Sequence, residues 1–123
     1  MKKWIVWLPM AALAWTTFSC TKDTLGGNSY TDKVDCSGNA PSYTSNVKNL
    51  LNASCAQSGC HNTASHESGV ILDTYAGAKS SFLNGKALCT IYYDCTPMPQ
   101  GAGQLSSSNL DLLTCWVKNG CPE

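Results

Sequence analysis

The sequence predicts an all-α domain of about four short helices joined by long loops. Apolar residues recur at helical three- and four-residue spacing in four separate windows. Strand-like alternation is convincing nowhere. Turn residues divide the windows, above all Asn84-Gly85 and the stretch from Pro97 to Gly103. The chain has 123 residues, enough for one small domain, and carries no internal repeat.

The first helix is expected over about 44–53. Tyr43, Val47, Leu50 and Leu51 fall on one face there, and Ser45 or Thr44 can serve as N-cap. The second covers about 75–83, with Tyr75, Ala78 and Phe82 on its apolar side, Asp73 or Thr74 as cap and Asn84-Gly85 as stop. A third, short helix over about 86–92 carries Ala87, Leu88, Ile91 and Tyr92. The last spans about 107–119. Serines 106–108 supply its cap, Leu110, Leu113 and Val117 one stripe, and Leu112 and Trp116 the next; Lys118 lies in its last turn and Gly120 sits at C′. Residues 62–69 read as loop, followed by a short apolar run, Val70-Ile71-Leu72.

The N-terminal part has a different character. Lys2 and Lys3 precede an apolar run from Trp4 to Trp15, and Thr17-Phe18-Ser19-Cys20 follows. That is the pattern of a secretory signal. The cysteine at the break resembles a bacterial lipoprotein signal, with residues 1–19 removed and Cys20 lipidated. Residues 20–42 are rich in Thr, Gly, Ser, Asn and Asp and read as a flexible tether, leaving 43–123 as the folded domain. The expected location is across the inner membrane, anchored by lipid in the cell envelope, in the periplasm or at the outer-membrane surface. Past residue 19 the chain keeps six lysines, no arginine and eight acids, a formal charge of −2. No basic face is available to neutralise phosphates, so nucleic acid is not an expected partner. Membrane contact is expected through the N-terminal lipid alone.

Eight cysteines in so short a secreted chain imply an oxidising compartment. Two of them form a distinctive pattern in Cys55-Ala56-Gln57-Ser58-Gly59-Cys60-His61. A histidine directly after a closed cysteine pair is the mark of covalent haem attachment, in which two sulfurs bond the haem vinyl groups and the histidine ring binds the iron. The usual spacing is C-x-x-C-H; this one is C-x-x-x-x-C-H, two residues longer. Two other readings stay open: a plain Cys55–Cys60 disulfide beside an exposed His61, and a zinc site in which His66 joins Cys55, Cys60 and His61.

Met98 is the sole methionine past the signal, and it lies in a proline-bounded loop, Thr96-Pro97-Met98-Pro99. Pro97 and Pro99 fix φ on either side, a geometry that can hold a thioether in place without a helix. A His-Met pair suits an electron-transfer haem; filling a core gap is the other role open to Met98. The five cysteines outside Cys20, Cys55 and Cys60 are odd in number, so one is left unpaired. Cys89 and Cys95 bracket the approach to Met98, and Cys36 is within the expected reach of Cys115. Cys36–Cys121 also stays open, because spacing does not fix connectivity.

The order of these features resembles the small class I-type cytochrome c domains of secreted lipoproteins in the Bacteroidetes and Planctomycetes. The resemblance is carried by Cys55…Cys60-His61, the Gly69-Val-Ile-Leu-Asp-Thr-Tyr75 stretch, Thr96-Pro97-Met98-Pro99, and Leu105-Ser106-Ser107 opening a helix with Trp116 and Gly120. It covers about 43–121. It implies a cytochrome c-like fold around one covalent haem c, held by Cys55 and Cys60, with His61 as proximal and Met98 as distal iron ligand. With both axial positions filled, it implies an electron carrier that exchanges electrons with a redox partner protein, and not an enzyme. The runner-up function is a haem-free, disulfide-stapled lipoprotein acting as a binding or structural module.

Overall fold

A computed structural model describes residues 27–123. The signal peptide assigned to 1–19 and the lipidation assigned to Cys20 lie outside the described residues. Among the described residues there are five α-helices and no strand: α1 (Gly27–Thr31), α2 (Lys48–Ser54), α3 (Tyr75–Leu83), α4 (Lys86–Ile91) and α5 (Ser107–Lys118). None of them is long and apolar enough to cross a membrane.

The helix expected from residue 44 begins as a wide turn, Tyr43–Val47, before tightening into α2. The N–H groups of Asn46 and Val47 both donate to the Ser42 carbonyl, at 3.1 and 3.2 Å. The cap is Ser42 and neither Thr44 nor Ser45. Ser42 has the extended backbone a cap requires and its side chain accepts from Ser45 N–H, whereas residues 44 and 45 already lie inside the wound segment. Asn46 Oδ1 accepts in return from Ser42 N–H, a reciprocal arrangement like a capping box. Thr74 caps α3 and Ser106 caps α5. At the end of α5, Gly120 takes φ +80°, Gly120 N–H donates to Val117 and Cys121 N–H reaches back to Trp116. These two bonds form a Schellman ending, which only a residue at ease with positive φ closes without strain.

The core is organised on α5, which buries Leu110, Leu113, Thr114, Cys115 and Trp116. Trp116 meets Phe82 edge-on at 5.7 Å between ring centroids and Tyr43 at 6.2 Å. Val47, Leu51, Leu72, Ala78, Leu88 and Ile91 close around them. The one buried hydroxyl on this helix, that of Thr114, donates to the Leu110 carbonyl at 2.7 Å and lies 2.9 Å from the Tyr92 hydroxyl. Its burial therefore leaves no unmet hydrogen bond.

Residues 27–42 depart from the tether that their composition suggests. Tyr30 is buried, stacks on Tyr92 at 4.8 Å and donates its hydroxyl to Asp94 at 2.8 Å. Lys118 Nζ donates to the Val34 carbonyl and Asn119 Nδ2 to that of Asn39. A disulfide joins Cys36 to Cys115. One buried ring and one covalent bond are enough to lay a polar segment along the domain, because few contacts are needed once its ends are fixed.

The two disulfides differ in what they constrain. Cys36–Cys115 spans 79 residues and Cys89–Cys95 spans six. By loop-closure entropy the long one is worth about 4.5 kcal/mol and the short one about 2 kcal/mol. Urea unfolding should therefore show Cys36→Ala/Cys115→Ala losing roughly twice the stability lost by Cys89→Ala/Cys95→Ala. Equal losses would contradict this reading of the long bridge.

Candidate functional site

The loop that leaves α2 is knitted by its own backbone. Cys55 N–H and Ala56 N–H both donate to Leu51 O at 2.8 Å, which ends the helix and drops Ala56 into the core. Cys60 N–H then donates to Gln57 O at 3.0 Å, and His61 N–H returns to Cys55 O at 3.1 Å. Gly59, at φ +79°, makes that return possible. The histidine is thus brought back beside the first cysteine even though four residues separate the cysteines.

A second ring of bonds fixes the histidine. Glu67 N–H donates to Cys60 O at 3.0 Å, and His61 Nδ1 lies 3.1 Å from Glu67 O. A carbonyl can only accept, so Nδ1–H is the donor, and in the neutral ring the lone pair is on Nε2. This is how an imidazole is held when its other nitrogen serves as a metal ligand. Leu72 N–H donates to His61 O at 2.7 Å, tying the site to the 70–73 run. Thr63 donates from both N–H and Oγ1 to the Asp73 carboxylate, at 2.8 and 2.7 Å. Those bonds, the backbone one foremost, hold the Asp73 carboxyl below the usual carboxylate range. Asn62, Ser65 and Gly59 complete the lacing through Gly59 N–H to Ser65 Oγ and Ser65 N–H to Asn62 Oδ1.

The backbone is strained beside this clasp. His66 has φ +33° and Ser68 φ +55°, both in the left-handed region that side chains disfavour. Such outliers persist only where surrounding bonds over-determine them, and here the bonds are those that aim Glu67 O at the His61 ring. On the far side, Gly77 of α3 sits so close to the Ile71 carbonyl that a Cβ would clash with it.

The cysteines sort into two sets. Cys36–Cys115 and Cys89–Cys95 are bonded; Cys55, Cys60 and Cys121 are not. Cys55 is half-buried against the core, and Cys60 is exposed. Burial, with a smaller contribution from nearby Cys60, pushes the Cys55 thiol up to about 11. Burial also pushes the Cys121 thiol up to about 11, against the opposing pull of Lys79. Cys121 lies fully within the core and is not bonded to another cysteine among the described residues.

Met98 belongs to a different frame. Its N–H donates to Thr90 O at 3.2 Å, at the end of α4. The Cys89–Cys95 bridge closes the turn before it, Cys89 O accepts from Asp94 N–H and Cys95 N–H, and Gln104 Nε2 holds the far side to Ile91 O. Met98 is half-buried. Among the described residues no hydrogen bond or disulfide joins its loop to the His61 loop. His66 is exposed, its ring 3.3 Å from Thr63 O. Among the described residues no three His, Cys, Asp or Glu side chains converge as a metal-binding group, so Cys55, Cys60, His61 and His66 are not assembled as a zinc site. The role of Glu67 has no signature in the sequence, because it is played by a backbone carbonyl that any residue could supply.

Compared with family models, with curated proteins and with solved structures, the chain finds no match.

The raised thiols have a direct consequence. The thiolate is the nucleophile, so a thiol with a raised pKa reacts slowly at neutral pH and speeds up about tenfold per pH unit until that pKa is reached. In the haem-free full chain, iodoacetamide should label exposed Cys60 first at pH 8. Cys55 and Cys121 should lag and quicken toward pH 11, as read by peptide mass spectrometry. Equal labelling of Cys55 and Cys60 at pH 8 would contradict the burial of Cys55.

Proposed function

We propose that this chain is a covalent haem-binding electron-transfer protein, a monohaem cytochrome c-like lipoprotein of the cell envelope. The observation that carries it is the state of His61: its ring is pinned through Nδ1 to Glu67 O, directly after two cysteines that are not bonded to each other. A disulfide loop with an incidental histidine has no need of that clasp. The residues fit the group in type and state. Cys55 and Cys60 would hold a haem through thioethers, each S–H adding across one vinyl group, and His61 Nε2 would bind the iron. The bound group would supply a metal that shuttles between ferrous and ferric states. Met98, stiffened by Pro97, Pro99 and the Cys89–Cys95 bridge, is the distal ligand in this reading. A soft thioether favours the ferrous state and raises the potential. With His61 and Met98 both holding the metal, the protein would pass electrons to a redox partner protein.

A second reading has its own support. Trp116, Phe82, Leu51, Leu88 and Leu113 are fully buried among protein neighbours, a core that a haem-free, disulfide-stapled module of the envelope would also need.

Expression with haem-maturation machinery separates the two. The first reading predicts a haem-staining band on a denaturing gel, where only covalent haem survives. A colourless band, with a Cys55–Cys60 disulfide by mass spectrometry, would establish the second. In the haem-loaded protein, Met98→Ala should shift the visible spectrum as the distal ligand is lost. An unchanged spectrum would remove Met98 from the ligand set.

A further inference from the structure

The two disulfides sit in different surroundings. Cys115 is fully buried in α5 and Cys36 is half-buried, whereas Cys95 is exposed and Cys89 half-buried. Attack on a disulfide needs access to a sulfur, and exposed bridges are the labile ones. The chain entropy released on opening works against a bridge, and it is larger for the long bridge only in the unfolded chain; in the folded protein, access decides. Cys89–Cys95 is therefore the bridge that a reductant reaches first.

What this bridge holds is the loop that carries Met98. No residue from 93 to 104 is fully buried, so the loop owes little of its order to the core. Polar bonds hold it. Asp94 N–H and Cys95 N–H donate to Cys89 O at 3.1 and 3.2 Å, and Met98 N–H donates to Thr90 O at 3.2 Å. The Tyr93 hydroxyl donates to Ala102 O, and Gln104 Nε2 to Ile91 O. Tyr93 lies inside the bridged ring at φ +67°, a left-handed backbone that an aromatic residue disfavours. Such a conformation persists only where its surroundings over-determine it. The covalent bond from Cys89 to Cys95 is the strongest of the constraints on Tyr93. Opening it lets Tyr93 return to ordinary backbone geometry, and the bonds at Cys89 O and Thr90 O go with that change.

We propose that the Cys89–Cys95 bridge is a redox-sensitive switch on the Met98 loop. Closed, it keeps Met98 N–H on Thr90 O; opened by a dithiol protein, it frees residues 93–104 and the methionine with them. One thiolate of the reductant attacks exposed Cys95 Sγ, and Cys89 leaves as a thiolate and takes up a proton. The second thiol of the reductant then displaces Cys95 and closes its own disulfide, so two electrons and two protons pass to the bridge. The consequence for electron transfer rests on the function proposed above: without the thioether the potential would fall.

The haem-free full chain tests the switch by itself. Under graded dithiothreitol, with iodoacetamide trapping and peptide mass spectrometry, Cys89 and Cys95 should be labelled while Cys36–Cys115 stays closed. At that point amide hydrogen exchange should show Met98 losing protection and α5 keeping it. Cys89→Ser/Cys95→Ser should show the same loss without reductant, with the α5 amides reporting that the variant is folded. A short bridge that opens only together with the long one, or a Met98 amide whose protection survives the opening, would overturn the switch. In the haem-loaded protein the same treatment should shift the visible spectrum toward that of Met98→Ala, and an unchanged spectrum would overturn the switch's action on Met98 there. A wild-type protein that comes out colourless would overturn the haem reading and the consequence for the potential, while the haem-free experiment still decides the switch.

Discussion

Trp116 packs between Phe82 and Tyr43, and its indole N–H donates to the carbonyl of Pro122, which also accepts the backbone N–H of Tyr43. One side chain therefore joins α5 to α3, to the wide turn before α2 and to the end of the chain. Fewer than a hundred ordered residues bury only a modest share of their surface on folding, so a single large residue counts for much. Removing a buried tryptophan costs about 3–5 kcal/mol, a large part of the 5–15 kcal/mol that domains typically possess. The placement of the site follows from this packing. The wide turn is held at its start by Pro122 O and by its buried Tyr43 and Val47, and α2 then delivers Cys55 to the edge of the core. The Schellman ending of α5 turns Cys121 inward and returns Pro122 to Tyr43.

Against that fixed body, the loop from Cys55 to Asp73 is held by polar means. It contributes Ala56 and Leu72 to the buried core, and its order comes from backbone and hydroxyl bonds among neighbours. The body folds on its own apolar stripe, and the loop fixes a histidine ring through Glu67 O. The left-handed backbones at His66 and Ser68 are the local cost of aiming Glu67 O at that ring. Charge plays a small part. Within the loop the acids are Glu67 and Asp73, and no lysine lies between Lys48 and Lys79.

The helical class and the last three helices were legible, because Phe82, Leu88, Leu113 and Trp116 fall at helical spacing and Gly85 and Gly120 mark turns that demand positive φ. The docking of residues 27–42 was not legible. Composition averages over a stretch, whereas Tyr30 and Cys36 act singly and anchor it through contacts more than sixty residues away in sequence. The cap moved to Ser42 for a similar reason: the choice among Ser42, Thr44 and Ser45 depends on where the backbone leaves extended geometry. At the site, the residue types Cys55, Cys60 and His61 could be read from the motif. The clasp on the ring could not, since a carbonyl contributes nothing to a sequence pattern. The pairings Cys36–Cys115 and Cys89–Cys95 were two among several open arrangements; folding selects the first by placing α1 and its following turn along α5, and the second by the turn that brings Cys95 N–H back to Cys89 O.

The chemical state of Cys55 and Cys60 is read from the intact mass of the protein purified from its own host. If Cys55 and Cys60 hold haem, the chain should be heavier by one haem, with the added mass retained after acid and organic extraction and localised to the peptide carrying Cys55, Cys60 and His61. A chain without that mass, lighter by two hydrogens in a Cys55–Cys60 disulfide, would contradict that attachment.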